Sequence, residues 1–433
     1  MSPAPNADAP AVSGDKTLPI LQSGLLFVNF FLIITALYQL KPASRSQILE
    51  VIEAKDLPWV WIGSALTLLL FIHLYNRVLA RVGRFRVVLG TALVAMAALV
   101  VFRFALEAGG RIAPVAFYLF VDLVGVILVE QFWSLANSIY STHDGKNWYG
   151  LIGTGGLLGG MAGSSLGAFL IHYTPLQTPD LLLVGGGIIG LIFIVTLRLS
   201  RHGYYRDGGD ADAGRIRHTA WPYQSRAAHR HYLLMIAGAL LLAQLVSPLV
   251  EFQFMRIVEV SFPEREARTA TLSLFFSALS GFSIVVNLLV TPLVLNRLGV
   301  LAGLLVQPVM LAASALGFMA QGGFLAAAVM KIADRGLSYS ITRSAKELLY
   351  IPVDKLVMYQ AKAWIDMFGY RSFKVAGAVI ILLLTQWTTL ARDGLDLNWV
   401  IVLCCGLWGL MLLGLYRRYR LLLQPAAAAG AVK

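Results

Sequence analysis

The sequence predicts an all-α integral membrane protein: twelve membrane-spanning helices in two pseudo-symmetric bundles of six, with both termini on the cytoplasmic side. Three observations predict it. Of the 433 residues, 58% are hydrophobic and only 13% are charged, about half the charged share of a soluble domain. Apolar stretches long enough to cross about 30 Å of hydrocarbon recur along the whole chain. The basic residues between them collect on one side if every stretch crosses.

The elements follow in order. Residues 1–17 are polar and rich in Pro and Ala, with no basic segment feeding an apolar one, and read as a disordered cytoplasmic tail rather than a cleaved leader. The first bundle, 18–200, holds spans 18–40, 57–80, 85–106, 113–140, 149–172 and 180–200. A basic cytoplasmic linker, 201–230, leads to the second bundle, 231–420. Its spans are 231–254, 271–296, 300–320, 322–343, 361–391 and 397–416, and residues 421–433 form a cytoplasmic tail. Arg77, Arg81, Arg84 and Arg86 between spans two and three, six arginines from Arg201 to Arg230, Lys346, Lys355 and Lys362 after span ten, and Arg417, Arg418 and Arg420 all fall on one side. An excess of Lys and Arg marks that side as cytoplasmic. The halves also echo each other: Arg81-x-Gly83 and Arg297-x-Gly299 are 216 residues apart, as are Lys146-x-Trp148 and Lys362-x-Trp364.

The net charge of +12 would suggest nucleic acid in a soluble protein; here it belongs to cytoplasmic loops, and no nucleic-acid polymer is expected as a partner. Cys404 and Cys405 are neighbours in an apolar run and cannot bridge each other. With no metal-ligand spacing, nucleophile elbow or kinase set, no enzyme activity, metal or cofactor is expected.

Residues 149–170 read YGLIGTGGLLGGMAGSSLGAFL. A phosphate-cradling loop needs a preceding strand, and a P-loop needs Lys-Ser/Thr; neither is present. Gly155, Gly159, Gly163 and Gly167 instead share one helical face, with Gly156, Gly160, Ser164 and Ala168 beside them. This is a small-residue seam that lets another backbone approach closely in lipid.

Ionisable groups inside spans cost about 2.5–3.5 kcal/mol each at a helix centre, so they persist where they pair or face water. Asp122 and Glu130 lie in span four, two turns apart and rotated enough alike to face one cavity. Glu251 ends span seven. Span ten carries Lys331, Asp334 and Arg335 on one face, with Ser338 and Thr342 continuing the stripe, then Arg343, Lys346 and Glu347 at its cytoplasmic end. Asp366, Arg371 and Lys374 follow in span eleven. Two cations sharing Asp334 favour a binding role over a purely structural ion pair. Arg103 in span three is expected to snorkel, and His73 to pack among apolar neighbours. Together these charges imply a water-accessible path, hence transport, and the surplus of cations suits an anionic solute.

Several of these blocks resemble the ATP/ADP antiporter-like branch of the major facilitator superfamily. They are Tyr38-Gln-Leu-Lys41-Pro42; Phe132-Trp133-Ser-Leu135-Ala136-Asn137 with Gly150-Leu-Ile-Gly153-Thr-Gly155-Gly156; Glu251-Phe252-Gln253-Phe254; and Asp334-Arg335-Gly336-Leu337-Ser-Tyr339-Ser through Arg343, Lys346-Glu347-Leu-Leu-Tyr350-Ile-Pro352 to Lys362-Ala363-Trp-Ile365-Asp366. They run from about 38 to 370, and imply the major facilitator fold. The resemblance puts Lys41 and Asp122 in nucleotide handling, with Lys331 and Arg335 as phosphate partners. The loop Leu79-Ala80-Arg81-Val82-Gly83-Arg84 departs from the superfamily pattern, with Ala80 where an aspartate is usual.

The expectation is therefore an alternating-access secondary transporter of a small organic anion, a nucleotide among the candidates, acting as a monomer in a bacterial inner membrane. Lys41, Lys331 and Arg335 would bind the anion, with Asp122, Glu130, Glu251 and Asp334 in the same site. Arg343, Lys346 and Glu347 would form a cytoplasmic gate. The alternatives are a proton-coupled facilitator of a drug-, siderophore- or sugar-derived solute, in which Asp122 or Glu130 titrates, and a non-transporting scaffold or sensor.

Overall fold

The computed structural model describes residues 17–139, 142–201, 227–350, 365, 369–387 and 397–430. In chain order the helices are α1 (Thr17–Ile48), α2 (Leu57–Val82), α3 (Arg84–Glu107), α4 (Ile112–Ile139), α5 (Thr142–Tyr173) and α6 (Leu181–Arg201). Next come α7 (Ala227–Ser261), α8 (Arg265–Arg297, with a π-turn at Val286–Val290) and α9 (Gly299–Gln321). Helix α10 runs Gly323–Leu337, continues through a π-turn at Ser338–Thr342, and ends as Arg343–Leu349. Helices α11 (Tyr370–Leu382, extended by a π-turn at Leu383–Trp387) and α12 (Leu397–Gly430) complete the set. Ten stretches among the described residues, α1 to α9 and α12, are long and apolar enough to cross a bilayer. Six charged residues set α10 apart, and α11 is described only in part.

Most predicted spans fall inside observed helices, with instructive exceptions. Helix α1 continues eight residues past the expected end at 40. Pro42 does not stop it: the ring removes the N–H that would bond Tyr38 O, and Ser164 Oγ of α5 donates to that carbonyl instead, at 3.5 Å. The extension carries Lys41 and Arg45 into the bundle. Helix α12 runs on to Gly430, through the segment expected as a tail, because its Leu and Ala run is a strong helix former. The tail 1–16, most of the linker 201–230, and Lys355, Lys362, Trp364 and Asp366 lie outside the described residues. His73 is exposed on α2 rather than packed. Arg103 reaches two carboxylates near the end of its span, Glu107 at 2.5 Å and Asp180 at 2.7 Å, the latter tying α3 to the turn before α6.

Packing in the second half repeats the first, six elements on. Helix α1 packs on α4, α5 and α6, α3 on α6, and α2 on α4; likewise α7 packs on α10, α11 and α12, α9 on α12, and α8 on α10. Between halves the main contacts are α5 with α8 and α2 with α11, which interchange under the same shift, together with α1 with α8.

The glycine seam of α5 faces α1 within its own half. A Cβ at Gly159 or Gly163 would overlap the carbonyl oxygens of Phe31 and Thr35, and one at Gly155 would press on Phe27. Contacts to α8 come from neighbouring positions: Gly160 meets Ser280, Gly167 meets Ser273 as well as Gln39 of α1, and Ser165 and Ser277 share a hydrogen bond of 2.7 Å. One apolar cluster lies wholly within 26–199 and another within 232–419. A third joins Ile48, Leu57, Trp61 and Tyr118 to Leu249, Phe252, Leu272 and Phe275 of the other half.

That junction lies at the end where odd-numbered helices finish and even-numbered ones begin. Polar contacts close it. Arg268, 2% exposed, pairs with Glu50. Both Glu259 oxygens lie within 3.2 Å of the Ala54 N–H. Glu266 accepts the Thr178 N–H at 2.8 Å and its hydroxyl at 2.6 Å. Gln386 donates to Asp56 at 3.1 Å. Each contact joins one half to the other.

Candidate functional site

Beneath this closed end the intramembrane charges converge. Lys41 is seven residues from the end of α1, Asp122 ten from the start of α4, Glu251 ten from the end of α7, and Lys331 and Arg335 eight and twelve from the start of α10. At 1.5 Å per residue that depth is about 10–18 Å. The four helices belong to both halves, and their charged faces meet between them.

Glu251 is the centre. Its carboxylate takes Lys331 Nζ at 2.6 Å and Arg45 Nε at 3.0 Å, so one acid ties α10 to α7 and α7 to α1. Lys331 also reaches Asp334 Oδ2 at 3.3 Å, and Ser247 Oγ donates to the same oxygen at 2.9 Å. Arg335 Nε lies 3.4 Å from that oxygen, with its side chain 23% exposed. Lys331 and Asp334 are almost wholly buried, at 2% and 4% side-chain exposure. A pair at that depth persists because each charge has a counter-charge and further hydrogen bonds.

The first half supplies a more open pole. The Lys41 ammonium lies over the Tyr38 ring at 4.7 Å, and the Arg45 guanidinium over Phe276 at 5.3 Å. Tyr38 and Phe276 meet edge to face, their centroids 6.0 Å apart. Asp122 accepts Ser64 Oγ at 3.1 Å. Lys41 is in electrostatic range of Arg45, Asp122, Arg335 and Glu251, so the two poles form one cluster. Four cations, Lys41, Arg45, Lys331 and Arg335, face three carboxylates, Asp122, Glu251 and Asp334. Among the described residues one positive charge is left over in this cluster, and Lys41 has no ion pair there.

The structure thus brings together Lys41, Asp122, Glu251, Lys331, Asp334 and Arg335. It does not bring Glu130 to them. Glu130 is exposed, two turns further along α4, in electrostatic range of Arg371 on α11 and Tyr75 on α2. Arg343 and Glu347 are exposed and Lys346 half-buried, all nearer the end of α10 away from the closed junction. The stripe expected to run on through Thr342 is interrupted: the π-turn starts at Ser338 and shifts the register, and Thr342 is buried. Arg45 was missed by the sequence reading. The signal was available, since Arg45 is four residues from Lys41 and shares its helical face, but the span was expected to stop at 40.

Residues 323–419, from α10 into α12, match the TLC ATP/ADP transporter family. The chain is 24% identical over 307 residues to ADP,ATP carrier protein 1 of Chlamydia pneumoniae, a match covering 61% of this chain and 59% of that protein. It is 23% identical over 316 residues to ADP,ATP carrier protein 1 of Rickettsia bellii (strain RML369-C), covering 64% and 63%. The chain therefore spans about three fifths of the length of the curated relatives it matches. Among solved structures, a bacterial homologue of the iron transporter ferroportin, in an inward-facing state, superposes with a TM-score of 0.64 at 16% identity, covering 93% of this chain and 99% of that one. The nucleoside transporter NupG superposes with a TM-score of 0.55 at 14% identity, covering 92% and 98%. At such identities the superpositions speak for the fold, which is of major facilitator type. The resemblance read from the motifs therefore holds as a similarity: this is a multi-pass membrane chain similar to ADP,ATP carrier proteins, with the fold of these solved transporters.

Proposed function

We propose that the chain is an alternating-access secondary transporter of a small organic anion, and that the anion is a nucleotide taken up in exchange for another. The observation that carries this is the unbalanced positive charge between the halves. A cation without a carboxylate is costly in a bilayer unless water or an anionic ligand compensates it. Lys41 offers such a cation from the first half, and Arg335, part exposed and only 3.4 Å from an Asp334 oxygen shared with Lys331, offers a second from the other, so an anion spanning them contacts both at once and has a stake in how the halves sit. The names of the relatives favour a nucleotide.

In this proposal all twelve segments cross a bacterial inner membrane, the termini and the linker 201–230 are cytoplasmic, and the units 18–200 and 231–420 rock about the site as one monomer. The repeated packing supports two such units. The closed junction then faces outward and the site opens toward the cytoplasm. Arg343, Lys346 and Glu347 sit at the cytoplasmic end of α10, where they would close the path in the opposite orientation, while Glu130 and Arg371 line its way.

One observation favours a second reading, proton-coupled transport: among the described residues Asp122 has a hydroxyl partner, Ser64, and no ion pair. Uptake of labelled ADP into proteoliposomes separates the two. Exchange predicts uptake that needs nucleotide inside and ignores a protonophore. Proton coupling predicts uptake that a protonophore collapses whatever the vesicles contain.

A further inference from the structure

Arg45 stands between the charge cluster and the closed junction. We infer that it is a further anion-binding residue, one that trades Glu251 for the anion as the junction parts, so that an empty carrier is held shut and a loaded one is not. This rests on the proposal that the site between the halves takes a nucleotide.

Arg45 lies three residues from the end of α1, where the junction begins. Just beyond it Ser46 Oγ donates to the Arg265 carbonyl at 2.9 Å, and Glu50 pairs with Arg268. One turn deeper is Lys41, on the same face of α1 and without an ion pair among the described residues. Residues four apart on a helix stand about 5–6 Å apart at Cβ, so one phosphate chain can touch both cations.

The two members of the Arg45–Glu251 pair are not held alike. Glu251 has a second partner in its own half, Lys331 Nζ at 2.6 Å. Arg45 belongs to the first half, yet its ion pair and its ring contact both come from the second. Its Nε reaches Glu251 of α7 at 3.0 Å, and its guanidinium lies over Phe276 of α8 at 5.3 Å. Parting the halves at this end takes both contacts from Arg45, while Glu251 keeps Lys331. With its side chain 14% exposed, Arg45 meets little water until the junction is already open. A buried cation stripped of its counter-charge is costly, so an empty site opposes the parting. An anion held on Lys41 supplies the charge that Glu251 withdraws, and a guanidinium takes phosphate in two-pronged fashion as it takes carboxylate. Transport that requires nucleotide on the far side follows, because only an occupied site lets the halves part.

The test has two readouts for the wild type, Arg45→Gln and Arg45→Lys. One is uptake of labelled ADP into ADP-loaded and nucleotide-free proteoliposomes. The other is hydrogen exchange, without nucleotide, of the Ala54 and Thr178 amides, which Glu259 and Glu266 bond across the junction. Arg45→Gln leaves Glu251 with Lys331 and strands no buried charge, so its fold should hold. Loss of a hydrogen bond between charged groups predicts that both amides exchange about tenfold faster, and that uptake into nucleotide-free vesicles rises about tenfold over wild type. The half-saturating ADP concentration in loaded vesicles should also rise about tenfold. Arg45→Lys keeps the charge and should keep both the slow amides and the need for nucleotide inside. Arg45→Gln uptake that still requires loaded vesicles, or junction amides that exchange at the wild-type rate, would overturn the inference while leaving the transport proposal intact. A wild-type protein that exchanges no ADP would overturn both.

Discussion

Replacing Glu251 with Gln separates a held charge cluster from a loose one. The Glu251 side chain is 13% exposed and neutralises both Lys331, 2% exposed, and Arg45, 14% exposed. Without its charge Lys331 keeps only Asp334, shared with Arg335 and Ser247, and Arg45 keeps no carboxylate among the described residues. The excess positive charge of the cluster doubles. Removing one member of a buried pair costs about 3–5 kcal/mol. The partial exposure of Arg45 screens its share, and the amide carbonyl still accepts one hydrogen bond, so the lower end, about 3 kcal/mol, is expected. Lys331→Met gives the contrast. It leaves Glu251 with Arg45 and Asp334 with Arg335, and brings the cluster to neutrality, so the cost should stay below about 1 kcal/mol or become a gain. Reversible unfolding in mixed micelles measures both variants and their double. The expected order is Glu251→Gln least stable, with the double recovering most of the loss. A Glu251→Gln protein as stable as the wild type, or a Lys331→Met protein less stable than it by well over about 1 kcal/mol, would refute this account of the pairing.

Two further predictions concern the scaffold. Gly163→Ala should cost about 1–3 kcal/mol, because the new methyl meets the Thr35 carbonyl, a backbone atom that cannot step aside. Gly153→Ala, with open space around it, should be neutral or stabilising by up to about 1 kcal/mol; melting curves decide. Glu266→Gln weakens two charge-assisted hydrogen bonds from Thr178, each worth about 1.5–3 kcal/mol. It should therefore loosen the closed junction. In a background with Cys404→Ala and Cys405→Ala, a Ser46→Cys reporter should react faster with a membrane-impermeant thiol reagent once Glu266→Gln is added, and an unchanged rate would show that Glu266 does not hold that end.

Much of the architecture was legible because lipid imposes simple demands. Long apolar runs and the α5 glycines each report a constraint that acts within a single helix, and both appear in the structure. The charges of α10 were legible for the same reason: Lys331, Asp334 and Arg335 are too deep to be accidental. What escaped was pairing at long range. Arg45 meets Glu251, 206 residues away, and Arg268 meets Glu50, 218 away. Charges near span ends look like ordinary membrane-surface residues, so nothing local marks Glu50, Glu259, Glu266 or Arg268 as one junction. Glu130 shows the converse limit: helical rotation put it close to the face of Asp122, but two turns of rise carried it away from the cluster.

The central claim is that unpaired positive charge between the halves draws an anion. The most direct measurement is exchange of labelled ADP by Lys41→Gln and Arg335→Gln proteins in ADP-loaded proteoliposomes, with melting temperature recorded alongside. Each variant should melt at or above the wild-type temperature, since neither side chain is the sole partner of a buried carboxylate, yet lose exchange at least about tenfold, the weight of one contact to a charged group. Undiminished exchange in both variants, with the fold intact, would contradict the claim.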